Sequence, residues 1–164
     1  MRAFFALCLC LSLLLVSCGT NDYTPTDIIY KVIEKSDNLP SYNVYFNSAD
    51  KESDEYLDTD KQLLLYNGMS PCELSTSFAV MLSKDDSVYE IHVYKSDSEI
   101  NVPRIKKILG RRIELLQDND VYLYEDENYE QIVSSARIIS KGRYVFLLVT
   151  DRNNEIEELV KDML

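Results

Sequence analysis

The chain has 164 residues, with 17 Lys and Arg against 28 Asp and Glu, a single His and a net charge of −11 at pH 7. That length suits one domain with a core of its own and is short for two. The acidic balance speaks against a nucleic-acid role and repels anionic surfaces, while it attracts cations and basic partners.

At the amino terminus, Arg2 precedes an apolar run that reaches Val16 and leads into Ser17, Cys18 and Gly19. Roughly 15 apolar residues fall short of the about 20 that a membrane span needs and match a signal-peptide core. Leu15-Val16-Ser17-Cys18 resembles a bacterial lipobox. The resemblance implies cleavage before Cys18 and diacylglycerol on its thiol; a secretory signal cut elsewhere, or an uncleaved anchor, is the alternative. Two acyl chains, at about 0.8 kcal/mol per buried methylene, hold a protein on a bilayer far more firmly than one. The chain then divides into a signal peptide at 1–17, a lipidated Cys18 with a short tether over 18–25, and one α+β extracytoplasmic domain over 26–164. Cleavage removes Arg2 and no acid, which takes the net charge to −12.

Of the four cysteines, Cys8 and Cys10 leave with the signal and Cys18 carries lipid, so only Cys72 stays in the domain. With no internal disulfide, stability must come from packing. Cys72 is expected to be a small buried hydrophobe; because it follows Ser70-Pro71, a capped helix start where a thiol pKa is depressed, a reactive thiol is the alternative reading.

In chain order, Thr24-Pro25-Thr26-Asp27 opens a helix that presents Ile28, Ile29, Val32 and Ile33 on one side and ends before Pro40. Residues 41–60 carry six acids between Asn47 and Asp60 and are expected to form an acidic loop. A calcium loop is disfavoured there, because no Gly sits at the sharp-turn position and no closing Glu is in register. Residues 63–66 form an apolar segment closed by Asn67-Gly68. Residues 78–82 and 88–94 read as a hairpin around 83–87, and Val102-Pro103 opens the longest helix, which runs to about Gln117. Its core side holds Ile105, Ile108, Leu109, Ile113, Leu115 and Leu116, with Arg104, Lys107 and Arg111 outside.

Arg112 breaks that division, falling between Ile108 and Leu116 on the wheel. An unpaired charge on a core face is very costly. On the second strand Glu90 shares a face with His92 and Tyr94, so Glu90 and Arg112 are expected to pair, directly or through a tyrosine hydroxyl; Arg112 snorkelling to the edge is the alternative. Residues 136–140 and 144–150 form a second hairpin around Lys141-Gly142. Its second strand is apolar on both faces and should lie inside the sheet, covered on both sides. Asn153 or Asn154 caps a last helix whose inner face carries Ile156, Leu159, Val160 and Met163. The fold expected is α+β: an antiparallel sheet from two hairpins with helices packed on it, in the order helix, hairpin, long helix, hairpin, helix.

These segments together resemble a domain-of-unknown-function family of lipoproteins from low-GC Gram-positive bacteria. The likeness rests on Leu65-Tyr66-Asn67-Gly68, Glu90-Ile91-His92-Val93-Tyr94, Leu109 with Arg112 and Ile113, and Gly142-Arg143-Tyr144-Val145 followed by Asp151. It implies a membrane-anchored extracytoplasmic domain and supplies no catalytic residue.

Signatures of chemistry are sparse. His92 alone cannot build a His-based zinc site, and neither a nucleophile elbow nor a glycine-rich phosphate loop is present. His92 on a polar strand face reads as a surface residue. The clusters Asp118-Asn119-Asp120 and Glu125-Asp126-Glu127 have no spacing that specifies a metal. No catalytic residue, metal or cofactor is assigned. Six of the twelve tyrosines (Tyr42, Tyr45, Tyr56, Tyr122, Tyr124 and Tyr129) fall in weakly structured stretches. They suit either a glycan or protein partner or simply the domain's own surface. The expectation is a non-catalytic binding or interaction module of the cell envelope; the alternative is a small hydrolase or cation-binding protein using acidic side chains.

Overall fold

The computed structural model describes residues 22–47, 49–84, 87–118 and 128–164. The stretch expected to be a signal peptide and Cys18 lie outside them, as do Tyr122, Tyr124 and both acidic clusters apart from Asp118.

A five-stranded antiparallel sheet carries helices on both faces, so the α+β reading holds. The helix α1 (Pro25–Lys35) precedes β1 (Tyr42–Phe46) and the short helix α2 (Thr59–Leu65). After a 3-10 turn at Pro71–Leu74 come β2 (Ser75–Ser83), β3 (Glu90–Ser96) and α3 (Val102–Gln117). The chain closes with α4 (Tyr129–Ser134), β4 (Arg137–Lys141), β5 (Tyr144–Val149) and α5 (Asn153–Met163). The strands lie side by side in the order β1, β2, β3, β5, β4.

Alternation builds the two cores. On β5, Val145, Leu147 and Val149 face α3 and α4, while Tyr144, Phe146 and Leu148 face α1 and α5. Every residue of β5 is buried, as its two-sided apolar run predicts. On β3 the odd residues Ile91 and Val93 join the α1 side, and the even residues Glu90, His92 and Tyr94 face α3. The two hairpins meet along β3 and β5, with Glu90 opposite Val149 and Lys95 opposite Tyr144. Because β3 and β4 then run parallel, a crossover must connect them, and α3 with α4 supplies it.

Four expectations are corrected. Residues 41–60 are not wholly loop: Tyr42–Phe46 pairs with β2 as an edge strand. Its alternation explains this, since Tyr42, Val44 and Phe46 pack on one core and Tyr45 on the other. The domain also begins earlier than residue 26. Thr24 and Asp27 cap α1 reciprocally, and Tyr144 donates its hydroxyl proton to Asp22 at 3.1 Å and to the Tyr23 carbonyl at 2.5 Å. Asn153 is the first residue of α5 rather than its cap. Its side chain accepts from Thr150 N at 3.0 Å and donates to the Ser135 carbonyl at 2.8 Å, tying β5 to the end of α4. Lastly, Tyr129 is buried, its hydroxyl donating to the Leu116 carbonyl, so it belongs to the core and not to a binding loop.

Candidate functional site

The even face of β3 holds a buried chain of polar side chains. Arg112 rises from the middle of α3 and donates from Nε to Glu90 Oε2 at 3.0 Å, while its Nη2 engages Oε1. The same Oε2 lies 2.9 Å from His92 Nε2. On the far side of the ring, Nδ1 is 2.6 Å from the Tyr66 hydroxyl, which is itself 2.6 Å from the Tyr94 hydroxyl. Tyr66 gets there because α2 stops one residue before it. Asn67 at φ 53° and Gly68 at φ +79° then take the left-handed conformations that end a helix. The sequence-predicted pair Glu90 and Arg112 is therefore direct, and His92 is a core residue, not a surface one.

Burial by itself would push the Glu90 carboxyl up, but the Arg112 guanidinium and His92 overcome that and hold it at about 2. Burial pushes His92 below its ordinary range against the opposing pull of Glu90, so the ring is neutral. A neutral ring beside a carboxylate carries its proton on Nε2, which leaves Nδ1 to accept from Tyr66 and the Tyr66 oxygen to accept from Tyr94. Burial likewise raises both tyrosines well above their usual value. Cys72, at the Tyr94 end, has its thiol pushed up to about 12 by burial, so it is a packed thiol and not a nucleophile.

Glu90, His92 and Arg112 are each at most 3% exposed. Glu90 and Arg112 converge as the strand and helix patterns predict, His92 joins them against expectation, and the three meet on one another and not on a solvent-filled cleft. With Glu90 held by Arg112 and His92, and His92 in turn by Tyr66, the chain acts as a polar seam between α3 and the sheet.

The open feature lies at the same end of the sheet, just beyond Glu90 and Val149. A groove of about 530 Å³ is bounded by the segment after α1, the residues entering β3, the start of α4 and the turn after β5. Asp37, Asn38, Ser87, Tyr89, Asn128, Asp151 and Arg152 supply its polar lining. Asn38 sits at φ 57°, a left-handed conformation that Asn tolerates better than most residues. Arg152 staples the groove: Nη1 donates to the Asp37 carbonyl at 3.0 Å, and Nε donates to Glu155 at 2.8 Å.

Comparison with protein-family models, with curated proteins and with solved structures gave no match to this chain. The site is thus read from its own chemistry. Among the described residues no group of three or more His, Cys, Asp or Glu side chains stands together as metal ligands would, and no helix is long and apolar enough to cross a membrane. Sequence reasoning missed the groove altogether. Its residues come from four separate segments, and the only local signal was the cluster Asp37-Asn38-Leu39-Pro40 that ends α1.

Proposed function

We propose that this protein is a lipoprotein anchored on the outer side of the cell membrane through acylated Cys18, with a domain that binds another envelope component without transforming it. The anchor rests on the apolar run to Val16 and on the lipobox-like Leu15-Val16-Ser17-Cys18. The resemblance to an uncharacterised lipoprotein family of low-GC Gram-positive bacteria points the same way. One observation carries the binding half of the reading. The constellation best suited to acid–base work, Glu90 with His92 and Arg112, is buried and hydrogen-bonded together, whereas exposed polar groups line a groove. The partner is an envelope glycan, a small molecule or an envelope protein.

Cation binding is the runner-up reading, favoured by the carboxylates of Asp37 and Asp151 in that groove. The localisation is tested by comparing the full chain with Cys18→Ala in a Gram-positive host. Membrane fractionation and intact-mass measurement should show the parent chain in the membrane with a diacylglyceryl adduct, and the variant without it. An unlipidated parent chain in the cytosol refutes the anchor. A thermal-unfolding screen against calcium, cell-wall glycans and small metabolites tests binding. A ligand present at 100 times its Kd should add about 2.7 kcal/mol of stability.

A further inference from the structure

Ile100 is the most exposed large apolar side chain among the described residues, at 85%. It sits in the 3-10 turn Glu99–Asn101 that leads into α3, belongs to neither core, and is followed by Pro103, also exposed. Single apolar side chains on a surface are ordinary, so what matters is where this one lies. Its turn is fixed at the end of the sheet opposite the groove: Ser96 N donates to the Arg143 carbonyl at 2.8 Å, and Arg143 Nη1 donates to the Asp97 carbonyl at 3.3 Å. That same end holds Asp22, which is engaged by Lys95 and accepts from the Tyr144 hydroxyl at 3.1 Å; Lys95 and Tyr144 are cross-strand partners. Asp22 is four residues along the chain from Cys18, a reach of at most about 14 Å. The most exposed apolar side chain thus lies at the end of the domain from which the chain leads back to Cys18.

The start of α3 adds cations beside it. Arg104, Lys106 and Lys107 stand in its first two turns, and no acid comes before Glu114, although a helix N-terminus favours acids over bases. Three acids share this side of the end. Asp97 accepts from Ser98 and Asn101, Glu99 is exposed in the turn, and Glu73 lies beside Arg104 between α2 and α3. We propose that the domain rests this end on the bilayer, with Ile100 and Pro103 in the headgroup region and Arg104 and Lys107 on lipid phosphates.

The proposal rests on the reading of Cys18 as the anchor and deepens it. A branched apolar side chain gains by leaving water at the boundary of headgroups and acyl chains, and long cationic side chains beside it keep their charge at the level of the phosphates. The net charge of the chain opposes approach to an anionic surface, and one isoleucine is too little to hold a protein on a bilayer. The contact forms because the tether holds this end within about 14 Å of the lipid, which makes a weak interaction effectively intramolecular. Orientation follows. Six residues of β3 and β5, roughly 20 Å of strand, separate this end from the groove, which then faces away from the membrane.

The chain has no tryptophan, so a single introduced one reports on its own surroundings. Ile100→Trp and Asp151→Trp replace exposed residues at opposite ends. Each is purified as the full chain from a Gram-positive host, checked by intact mass for the diacylglyceryl adduct, and reconstituted into phosphatidylcholine vesicles carrying brominated lipid. Ile100→Trp should emit at shorter wavelength than the same variant in a Cys18→Ala background, and quenching by lipids brominated at different depths should place it about 5–10 Å into the headgroup–acyl boundary. Asp151→Trp should keep the emission of a water-exposed ring and escape quenching. Adding Arg104→Glu and Lys107→Glu to Ile100→Trp should reduce the quenching and return the emission towards longer wavelength, with the adduct retained. Equal quenching at the two positions in a chain that carries the adduct overturns this proposal and leaves the anchor standing, and unaltered quenching in the charge-reversed variant overturns the phosphate contact. A chain without the adduct overturns the anchor, and the proposal with it.

Discussion

Arg112 on α3 and Glu90 on β3 form a two-point ion pair inside the core, with Nε 3.0 Å from Oε2 and Nη2 on Oε1, and each residue is 3% exposed. Two residues that are 22 positions apart in sequence thus clamp the longest helix to the middle strand of the sheet.

Removing one partner strands the other. Arg112→Ala should cost about 3–5 kcal/mol in urea unfolding, because the Glu90 charge is left buried. Adding Glu90→Gln should recover more than about 1 kcal/mol, since a neutral amide still accepts from His92. A loss below about 1 kcal/mol for the single variant would contradict the burial of the pair.

The tyrosine end of the seam is graded. Tyr66→Phe deletes the donor to His92 Nδ1 and the acceptor for Tyr94 together, while Tyr94→Phe deletes one bond. A buried polar group left unsatisfied costs about 1–3 kcal/mol, so Tyr66→Phe should be the more destabilising by about 1 kcal/mol or more. Equal midpoints in denaturant would show that the relay does not run through Tyr66.

His92 makes stability depend on pH in a defined window. Its folded pKa is lowered from 6.5, so the unfolded chain binds more protons as pH falls and stability drops with it. As the chain has one histidine, the window from pH 7 to pH 5 reports on it almost alone, with a loss of up to about 2 kcal/mol. Glu90 adds to this at lower pH: held at about 2 when folded against 4.5, its contribution is intact above 4.5 and is lost progressively towards 2. Chemical denaturation across the pH range should show the first slope vanish in His92→Gln and persist in the parent chain.

The β4–β5 turn depends on Gly142 at φ +54°, where a Cβ would meet no neighbour within 4 Å. Gly142→Ala should therefore pay only the left-handed backbone penalty, about 1–2 kcal/mol, and Gly142→Asn less. If alanine proves neutral by thermal unfolding, the turn does not hold that conformation in solution.

Much of the scaffold was legible from local patterns. The Thr24–Asp27 cap, the Asn67-Gly68 stop, both hairpins and the two-sided burial of β5 follow from spacing and turn chemistry alone. So does the pairing of Arg112 with Glu90, because a charge on the core side of a helix demands a partner. The edge strand Tyr42–Phe46 was hidden by the acids that follow it, and α4 by a stretch with only Ile132 and Val133 as apolar signal.

The sequence by itself determined the first, long and last helices, the two hairpins and which charge had to be answered inside the core, since these depend on neighbours within a few residues. Tertiary structure alone decided that β3 lies against β5, that α3 covers the even face of β3 and so turns His92 from a surface residue into a core one, and that residues from four segments meet as a groove. The physical reason is range: periodicity reports the face a side chain takes, whereas what packs over that face is chosen by burial competing across the whole chain.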